Sequence, residues 1–178
     1  MTAHIRSNPP DDSVDWPPVL AAMIDRFYQA HVACLSRLAG GDFTLVTTVP
    51  KPRFNRPDAE PEHPTQGIAA NIPSVRRLYH PVLEPGLAAG AMNETTAQKE
   101  GFTTTGPLRG HRVLLLDDLC VRGGYLQSAA LALSRQGATA VVPLVIARLI
   151  DPTHNGANAR IRKDASAEDF DFERCCLC

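Results

Sequence analysis

The sequence predicts a single-domain α/β fold, with a mostly parallel sheet flanked by helices. Val113 to Leu116 is an uninterrupted apolar run, and Ala140 to Ile146 is rich in Val, Leu and Ile, as is typical of buried parallel strands. A helical pattern from Gly124 to Gln136 lies between them and ends at Gly137. This order of strand, helix and strand predicts a right-handed parallel crossover. The 178 residues, of which 44% are hydrophobic, suffice for one domain with a substantial core.

A long amphipathic helix is predicted before the first strand. Asp15 can cap it, Pro17 suits its first turn, and apolar residues recur at near-helical spacing until Gly40–Gly41 end it. We expect this helix to pack on the sheet through its apolar face. His31 and Cys34 lie on or beside that face, and they are interpreted as core or boundary residues.

The first strand is predicted from Phe43 to Val49. The basic loop Pro50 to Arg56 follows it and cannot continue a sheet because of its prolines. In an open α/β sheet, ligands lie beyond the carboxyl ends of the strands, so this loop is expected on the ligand side. A basic loop that is simply solvated would have the same composition.

Shorter elements are expected between this loop and the central strand. Residues 57 to 67 are predicted to be a loop, and a helix is predicted from about Pro73 to His80. Leu87 to Met92 and Phe102 to Thr104 are predicted to be short strands. The polar residues 93 to 101 between these two strands are expected to form a mobile hood over the site.

The segment after the central strand holds the strongest candidate for a ligand site. Asp117 and Asp118 are expected to emerge at the end of that strand. Their negative charges would repel each other there unless hydroxyl donors, a cation or water stabilise them. The amides of the Gly123–Gly124 turn and of the first helical turn point outward and can hold a phosphate. Carboxylates beside such amides indicate a sugar-phosphate site. A strand followed by an acidic helix cap and a packing glycine would give the same local pattern.

This segment resembles the diphosphosugar-binding motif of type I phosphoribosyltransferases. In that motif two acids follow four apolar residues, and two variable positions, Thr-Thr-Gly and then Thr or Ser come next. The chain is most similar to competence-protein-F-like members, which also carry an upstream strand ending in Val-Pro, here within Phe43 to Arg53. Those members have an aromatic residue before the motif, and here Gln98 and Phe102 precede it. The resemblance covers roughly residues 16 to 150.

The resemblance implies a protein that binds 5-phosphoribosyl 1-pyrophosphate with Mg²⁺ and transfers the phosphoribosyl group to a nitrogen nucleophile. Asp117 and Asp118 match the two catalytic acids, which hold the ribose hydroxyls. Gly123 matches the glycine of the turn that binds the 5-phosphate. Lys51 and Arg53 match the position of a loop that contacts the pyrophosphate leaving group.

Three residues of the turn depart from the family pattern. Val121 and Arg122 stand where two threonines are expected, and Tyr125 replaces the following Thr or Ser. Arg122 and the Tyr125 hydroxyl can contact phosphate in their place, beside the amides of Gly123 and Gly124. Equally, the two bulky side chains can fill the pocket. The alternative is therefore a non-catalytic sensor or accessory protein for a phosphoribosyl ligand.

Composition excludes some classes of partner. The net charge of −1, with 18 Lys and Arg against 19 Asp and Glu, provides no general attraction to nucleic acid or to an anionic membrane. No apolar run approaches the length of about 18 residues that a membrane span requires. Residues 1 to 15 are polar, lack the pattern of a leader peptide and are expected to be disordered. A cytoplasmic protein is expected, and homo-oligomer formation is left open.

The C-terminal residues 151 to 178 are predicted to form an irregular tail that is separate from the α/β domain of residues 16 to 150. The five cysteines are scattered without the framework of a secreted protein, so reduced thiols are expected. Three cysteines lie within Cys175 to Cys178, but a structural zinc site needs four ligands and no second pair is present. No residue is therefore assigned as a metal ligand. Zinc shared with a second chain stays an alternative.

Overall fold

The computed structural model describes residues 16 to 50, 64 to 174 and 177, and helices and strands alternate along most of this length. The helices are α1 (Trp16–Ala39), α2 (Pro64–Ala70), α3 (Gly124–Arg135) and α4 (Gly156–Ala165). The strands are β1 (Leu45–Thr48), β2 (Leu83–Pro85), β3 (Phe102–Thr104), β4 (Arg112–Cys120) and β5 (Ala140–Arg148). The predicted disordered segment 1 to 15 lies outside the described residues.

Three strands form a parallel sheet in the order β1, β4, β5, and β2 and β3 form a separate antiparallel pair. In the parallel sheet Leu45 pairs with Val113, and Val113 pairs with Val141. β4 is therefore the central strand, and the connection from it to β5 passes through α3, as predicted. The chain has an α/β fold in which helices flank a three-stranded parallel sheet.

The central position of β4 explains its uninterrupted apolar run. Val113, Leu114, Leu115 and Leu116 are at most 1% exposed. Successive residues of a strand point to opposite faces of the sheet. Accordingly, Leu114 and Leu116 join an apolar cluster with α1 and α2, whereas Val113 and Leu115 join one with α3 and the β2–β3 pair. Both faces of the sheet are covered at its centre.

β5 is a confirmed strand, but its predicted burial is wrong. Within the described structure it lies at the edge of the sheet, and between Ala140 and Ile146 only Val142 is buried. Pro143 stands in the middle of the strand. Because proline cannot donate a hydrogen bond to a neighbouring strand, it is tolerated at a sheet edge and not at the centre.

α1 has the predicted extent and ends at Ala39, before Gly40, whose φ of +72° places it in the left-handed region that favours glycine. Its apolar face packs on the sheet. His31 is 3% exposed, which confirms its interpretation as a core residue. The ring nitrogen Nε2 of His31 lies 2.7 Å from the carbonyl oxygen of Phe172, so the C-terminal part of the chain returns to this helix.

The cysteines are not all reduced. Cys34, on α1, is disulfide-bonded. Cys120, at the end of β4, is a free thiol. The expectation of reduced thiols is therefore wrong for Cys34. The predicted metal alternative concerned residues 175, 176 and 178, which lie outside the described residues.

The segment between β1 and β2 differs from its prediction. α2 begins at Pro64, inside the predicted loop, and residues 73 to 80, predicted to be a helix, form successive turns. These turns bring the chain alongside β1. There the Val46 N–H donates to the Leu78 carbonyl at 2.8 Å, and the His80 N–H donates to the Val46 carbonyl at 2.9 Å. Hydrogen bonds to β1 thus replace the expected helical ones.

The short strand predicted at Phe102–Thr104 is confirmed as β3, but the strand predicted from Leu87 to Met92 is not. β2 lies at Leu83–Pro85, and the expected strand from Leu87 to Met92 contains a 3-10 turn at Ala89–Ala91. Leu87 is 96% exposed and has no burial to gain from a strand there.

The tail that was expected to be irregular contains α4. The side chain of Asn155 accepts a hydrogen bond from the Asn158 N–H and so caps this helix. None of its residues is buried, in agreement with the small core contribution that was expected. Across the described ranges, no helix combines the length and the apolar character needed to cross a membrane.

Candidate functional site

A cavity lies at the carboxyl end of β4, where this strand continues past the end of β1. The pairing of β1 with β4 stops at Thr48 and Leu116, whereas β4 remains paired with β5 as far as Cys120 and Arg148. Pro50 follows β1 and cannot donate a further ladder bond. The space left beside the end of β4 has a volume of ≈ 390 Å³.

Six of the predicted site residues line this cavity together. They are Asp117, Asp118, Arg122, Gly123, Gly124 and Tyr125. The other described residues of the lining are Val49, Pro50, Glu94, Leu119, Cys120, Val121 and Leu126. Lys51 and Arg53 lie outside the described residues, but Pro50, which directly precedes Lys51, belongs to the lining.

The two acids lie within β4, not at its end as expected, because the strand continues to Cys120. Asp117 is 8% exposed, and Asp118 is half-buried. Each carboxylate accepts a hydrogen bond from the next amide: Asp118 N–H donates to Asp117 at 3.0 Å, and Leu119 N–H donates to Asp118 at 2.8 Å. The pairing of this part of β4 with β5 fixes the backbone that carries both acids.

The two glycines of the turn have different structural roles. Gly123 has φ +84° and ψ 9°, a left-handed conformation that side chains disfavour. The N–H of Gly124 donates to the carbonyl of Glu94 at 2.9 Å, and a Cβ on Gly124 would lie 2.2 Å from the carbonyl oxygen of Asn93. Gly124 therefore permits the close approach of another chain segment. Its amide, which was predicted to bind phosphate, already has a protein acceptor.

Residues 92 to 98, here called the wall segment, reach the cavity at Glu94, which belongs to its lining. The Tyr125 hydroxyl donates to the Met92 carbonyl at 3.4 Å, and the Gln98 N–H donates to Ser128 Oγ at 2.9 Å. The segment is thus attached to the first two turns of α3. The predicted mobile hood corresponds to this attached segment, and the Tyr125 hydroxyl is directed to its backbone.

Arg122 lies next to the turn that follows β5. Its Nη2 is 3.4 Å from Nδ1 of His154. In the same turn the hydroxyl and the N–H of Thr153 donate to Asp151 Oδ1, at 2.7 and 2.8 Å. These hydrogen bonds, assisted by the charges of His154 and Arg122, lower the pKa of Asp151 from its ordinary value. A small polar cluster therefore stands beside the exposed guanidinium.

Sequence reasoning missed three residues of this neighbourhood, namely Glu94, Asp151 and His154. The last two follow β5, and the carboxyl ends of neighbouring parallel strands meet at one edge of a sheet. That rule could have identified the turn after β5. Glu94 had no comparable signal, because only the tertiary packing of the wall segment on α3 brings it to the cavity.

The lining offers oxygen acceptors on β4 and backbone amides at the start of α3. Asp117 and Asp118 offer acceptors for hydroxyls. The amides in the first turn of α3, including those of Tyr125 and Leu126, have no acceptor within the helix and attract anions. In the part of the chain that is described, no three His, Cys, Asp or Glu residues are arranged to hold a metal. Mg²⁺ is commonly bound by one or two carboxylates together with ligand phosphates, and this donor set fits that mode.

Comparison with known proteins adds no family assignment. Neither the models of known protein families nor the curated proteins searched match this chain.

Proposed function

We propose that the protein binds 5-phosphoribosyl 1-pyrophosphate together with Mg²⁺ and transfers the phosphoribosyl group to a nitrogen nucleophile, on a type I phosphoribosyltransferase-like fold. The observation that carries this proposal is the cavity of ≈ 390 Å³ beside β4, lined by both acids and by the glycine turn. Its volume falls in the range of about 300 to 1,000 Å³ that is usual for small-molecule sites. The proposed location is the cytoplasm.

The acids and the turn would bind different parts of the ligand. Asp117 and Asp118 would accept hydrogen bonds from the ribose hydroxyls and so orient the anomeric carbon toward the nucleophile. The turn amides of Arg122 and Gly123, with the Arg122 guanidinium, would hold the 5-phosphate. Bound Mg²⁺ would neutralise charge on the pyrophosphate. Lys51, directly after a residue of the lining, is proposed to contact the same group.

The proposed step breaks the bond between the anomeric carbon and the pyrophosphate oxygen and forms a carbon–nitrogen bond. The leaving group departs with the electron pair of the broken bond. Within the chain, catalysis would come from holding the ribose in place and stabilising the departing negative charge. Neither task requires a covalent intermediate with the protein.

A second candidate function is a non-catalytic sensor for the same ligand. It is favoured because two predicted phosphate donors already donate within the protein. The Gly124 amide donates to the Glu94 carbonyl, and the Tyr125 hydroxyl donates to the Met92 carbonyl. Fewer donors for the 5-phosphate would hold the ligand less firmly. Since transfer depends on a firmly positioned ribose, binding can persist where transfer is lost.

Calorimetric titration with the diphosphosugar, with and without Mg²⁺, tests both proposals. We expect binding by the native protein and at least tenfold weaker binding by Asp117→Asn/Asp118→Asn. Asp164→Asn is the matched control, because Asp164 is exposed on α4 and its substitution also removes a carboxylate charge. No binding at millimolar ligand would refute both proposals, as would equal binding by the double variant.

Release of pyrophosphate across a panel of nucleobases then separates the two functions. Pyrophosphate release that depends on one base and on both acids supports the transferase. Binding that depends on the acids, without release in the presence of any base, supports the sensor.

A further inference from the structure

Two surfaces of opposite charge follow each other in the C-terminal part of the chain. α4 has one acidic residue, Asp164, and three basic ones, Arg160, Arg162 and Lys163. Two residues after its end comes the segment 168 to 173, here called the acidic strip. The acids of this strip are Glu168, Asp169, Asp171 and Glu173. All of these charged residues, on α4 and on the acidic strip, are exposed.

Each surface has an apolar residue at its centre. On α4 this residue is Ile161, which is 42% exposed and has an arginine on either side of it in the sequence. In the acidic strip it is Phe170, which is 72% exposed and has an aspartate on either side. An apolar centre with polar residues around it is the usual arrangement of a protein–protein interface. The two surfaces are therefore opposite in charge and alike in having an apolar centre.

The acidic strip is held in place on α1. Nε2 of the buried His31 donates to the Phe172 carbonyl at 2.7 Å, and the Arg26 guanidinium lies 4.4 Å from the centroid of the Phe172 ring. The rings of Phe170 and Phe172 meet edge to face with centroids 4.9 Å apart. A partner that binds the strip therefore meets a segment that is already ordered, which lowers the entropic cost of association.

α4 has little support within its own chain. None of its residues is buried, and its hydrogen bonds to preceding residues are those of Asn155, which caps it, and of Asn158, whose side chain donates to the Asp151 carbonyl at 3.1 Å. Within the described ranges, no ion pair involves α4, and the ion pair nearest in sequence joins Arg174 to Glu168. Isolated helices of fewer than about 12 residues are marginal in water, and packing against another surface stabilises them.

We propose that a second copy of this chain covers both surfaces, so that α4 of each copy lies on the acidic strip of the other. A twofold dimer requires a surface that is complementary to itself, and two adjacent surfaces of opposite charge meet this requirement. The arginines of α4 then face acids of the partner, and Ile161 lies beside Phe170 of the partner subunit. Charge complementarity fixes which parts of the two copies meet. This inference does not depend on the proposed function.

The dimer should be sensitive to salt, which sedimentation equilibrium of the full chain measures. Charges on the protein surface are screened over about 10 Å at 0.1 M salt and about 3 Å at 1 M. We expect the dissociation constant of the dimer to rise at least about tenfold between about 0.05 and about 0.5 M NaCl. A chain that stays monomeric at about 0.1 mM in the lower salt would overturn the proposal, as would a dissociation constant that salt does not change. A monomer that binds heparin through Arg160 and Arg162 would assign α4 to an external polyanion and would also overturn it.

Two charge-reversal variants test which surfaces meet. Arg160→Glu/Arg162→Glu leaves a net negative charge on both surfaces, and Asp169→Lys/Asp171→Lys/Glu173→Lys leaves a net positive charge on both. Because single exposed ion pairs contribute little, several charges are changed at once. Each variant alone should have a dissociation constant at least about tenfold higher than that of the native dimer at low salt.

An equimolar mixture of the two variants should form a heterodimer. In it the reversed α4 faces the reversed strip and the native α4 faces the native strip, so both contacts again join opposite charges. Arg76→Glu/Arg77→Glu is the matched control, because it reverses two exposed arginines outside both surfaces and changes the net charge equally. This control should associate like the native chain. Native-like association of Arg160→Glu/Arg162→Glu, or a mixture that contains no heterodimer, would contradict the proposed interface.

Discussion

Substitution of Gly124 by alanine should detach the wall segment from α3. The new Cβ would lie 2.2 Å from the Asn93 carbonyl oxygen and 3.0 Å from the Glu94 carbonyl carbon and oxygen. Real Cβ atoms do not approach backbone atoms so closely, so the segment must move. Its movement would break the hydrogen bond from the Gly124 N–H to Glu94 and, with it, the bonds of Tyr125 to Met92 and of Gln98 to Ser128.

The expected cost follows from these three hydrogen bonds. Each contributes about 1 kcal/mol to the free energy of unfolding. Alanine in place of glycine in a helix recovers up to about 1 kcal/mol. We therefore expect Gly124→Ala to lower the free energy of unfolding by about 2 kcal/mol, which in a chain of this size lowers the Tm by about 4 to 8 °C. Urea unfolding and amide hydrogen exchange of residues 92 to 98 measure the two effects.

Gly156→Ala is the matched control for this variant. Gly156 is the first residue of α4, as Gly124 is of α3, and a Cβ there would meet nothing within 4 Å. This variant should change stability by less than about 0.5 kcal/mol or increase it slightly. If both alanine variants unfold alike and residues 92 to 98 keep their protection in Gly124→Ala, the wall segment does not depend on the missing side chain, and the reasoning is refuted.

Three further predictions concern single residues. Gly123→Ala should lower the free energy of unfolding by about 1–2 kcal/mol because of its φ of +84°, with a smaller loss for Gly123→Asn in the same urea titration, and equal losses would contradict this cause. The pKa of Asp151 is lowered, mainly by its bonds to Thr153, so its stabilising effect is present above pH 3.8 and is lost as the pH falls through the depressed pKa. Asp151→Asn should therefore reduce the acid sensitivity of unfolding between pH 4 and 2, and an unchanged profile would show that the turn carries no such linkage. The pKa of Tyr79 is raised, mainly by burial and against its bond to Thr48, so folding is favoured below pH 10.0 and loses this contribution as the pH rises through the raised pKa. Tyr79→Phe should flatten the alkaline loss of stability in denaturant titrations from pH 9 to 11, and an alkaline loss as steep as in the native chain would exclude Tyr79 as its source.

The β4–α3–β5 unit was predictable because its signals are local. The apolar run predicts the strand β4 from its own residues. The glycine turn and Gly137 likewise indicate where α3 begins and ends. The burial of β5 was not local information, since it depends on whether another strand pairs beyond it. Pro143 was the one residue within the strand that pointed to an edge.

The turns at residues 73 to 80 show how tertiary hydrogen bonds override a helical pattern. Val75 and Leu78 have helical spacing and do pack in or against the core. However, the Leu78 carbonyl accepts from Val46, and a carbonyl that bonds to a neighbouring strand is not available to a helix. The apolar spacing was interpreted correctly as burial and wrongly as helix. No local signal distinguishes the two.

Some residues of the candidate site could be predicted from local sequence, and others are brought there only by tertiary structure. Asp117, Asp118 and the glycine turn are close together in sequence and were predicted. Glu94 belongs to the wall segment and His154 to the turn after β5, which are distant in sequence. The role of a glycine cannot be predicted from its position in the sequence for the same reason. The Gly124 amide was expected to bind phosphate, but it donates to the backbone of the wall segment, which packs closely against this residue.

The charges of the lining determine how a diphosphosugar can bind. Among its described residues, Glu94, Asp117 and Asp118 carry negative charge, and Arg122 alone carries a positive one. These described residues offer the phosphate charges of the ligand little attraction, so cations are expected to enter with it. Binding should therefore require Mg²⁺, the basic residues that follow Pro50, or both. Tight binding without Mg²⁺ that also survives Lys51→Ala/Arg53→Ala would show that the anionic groups of the ligand are held elsewhere, and would separate the cavity from the proposed function.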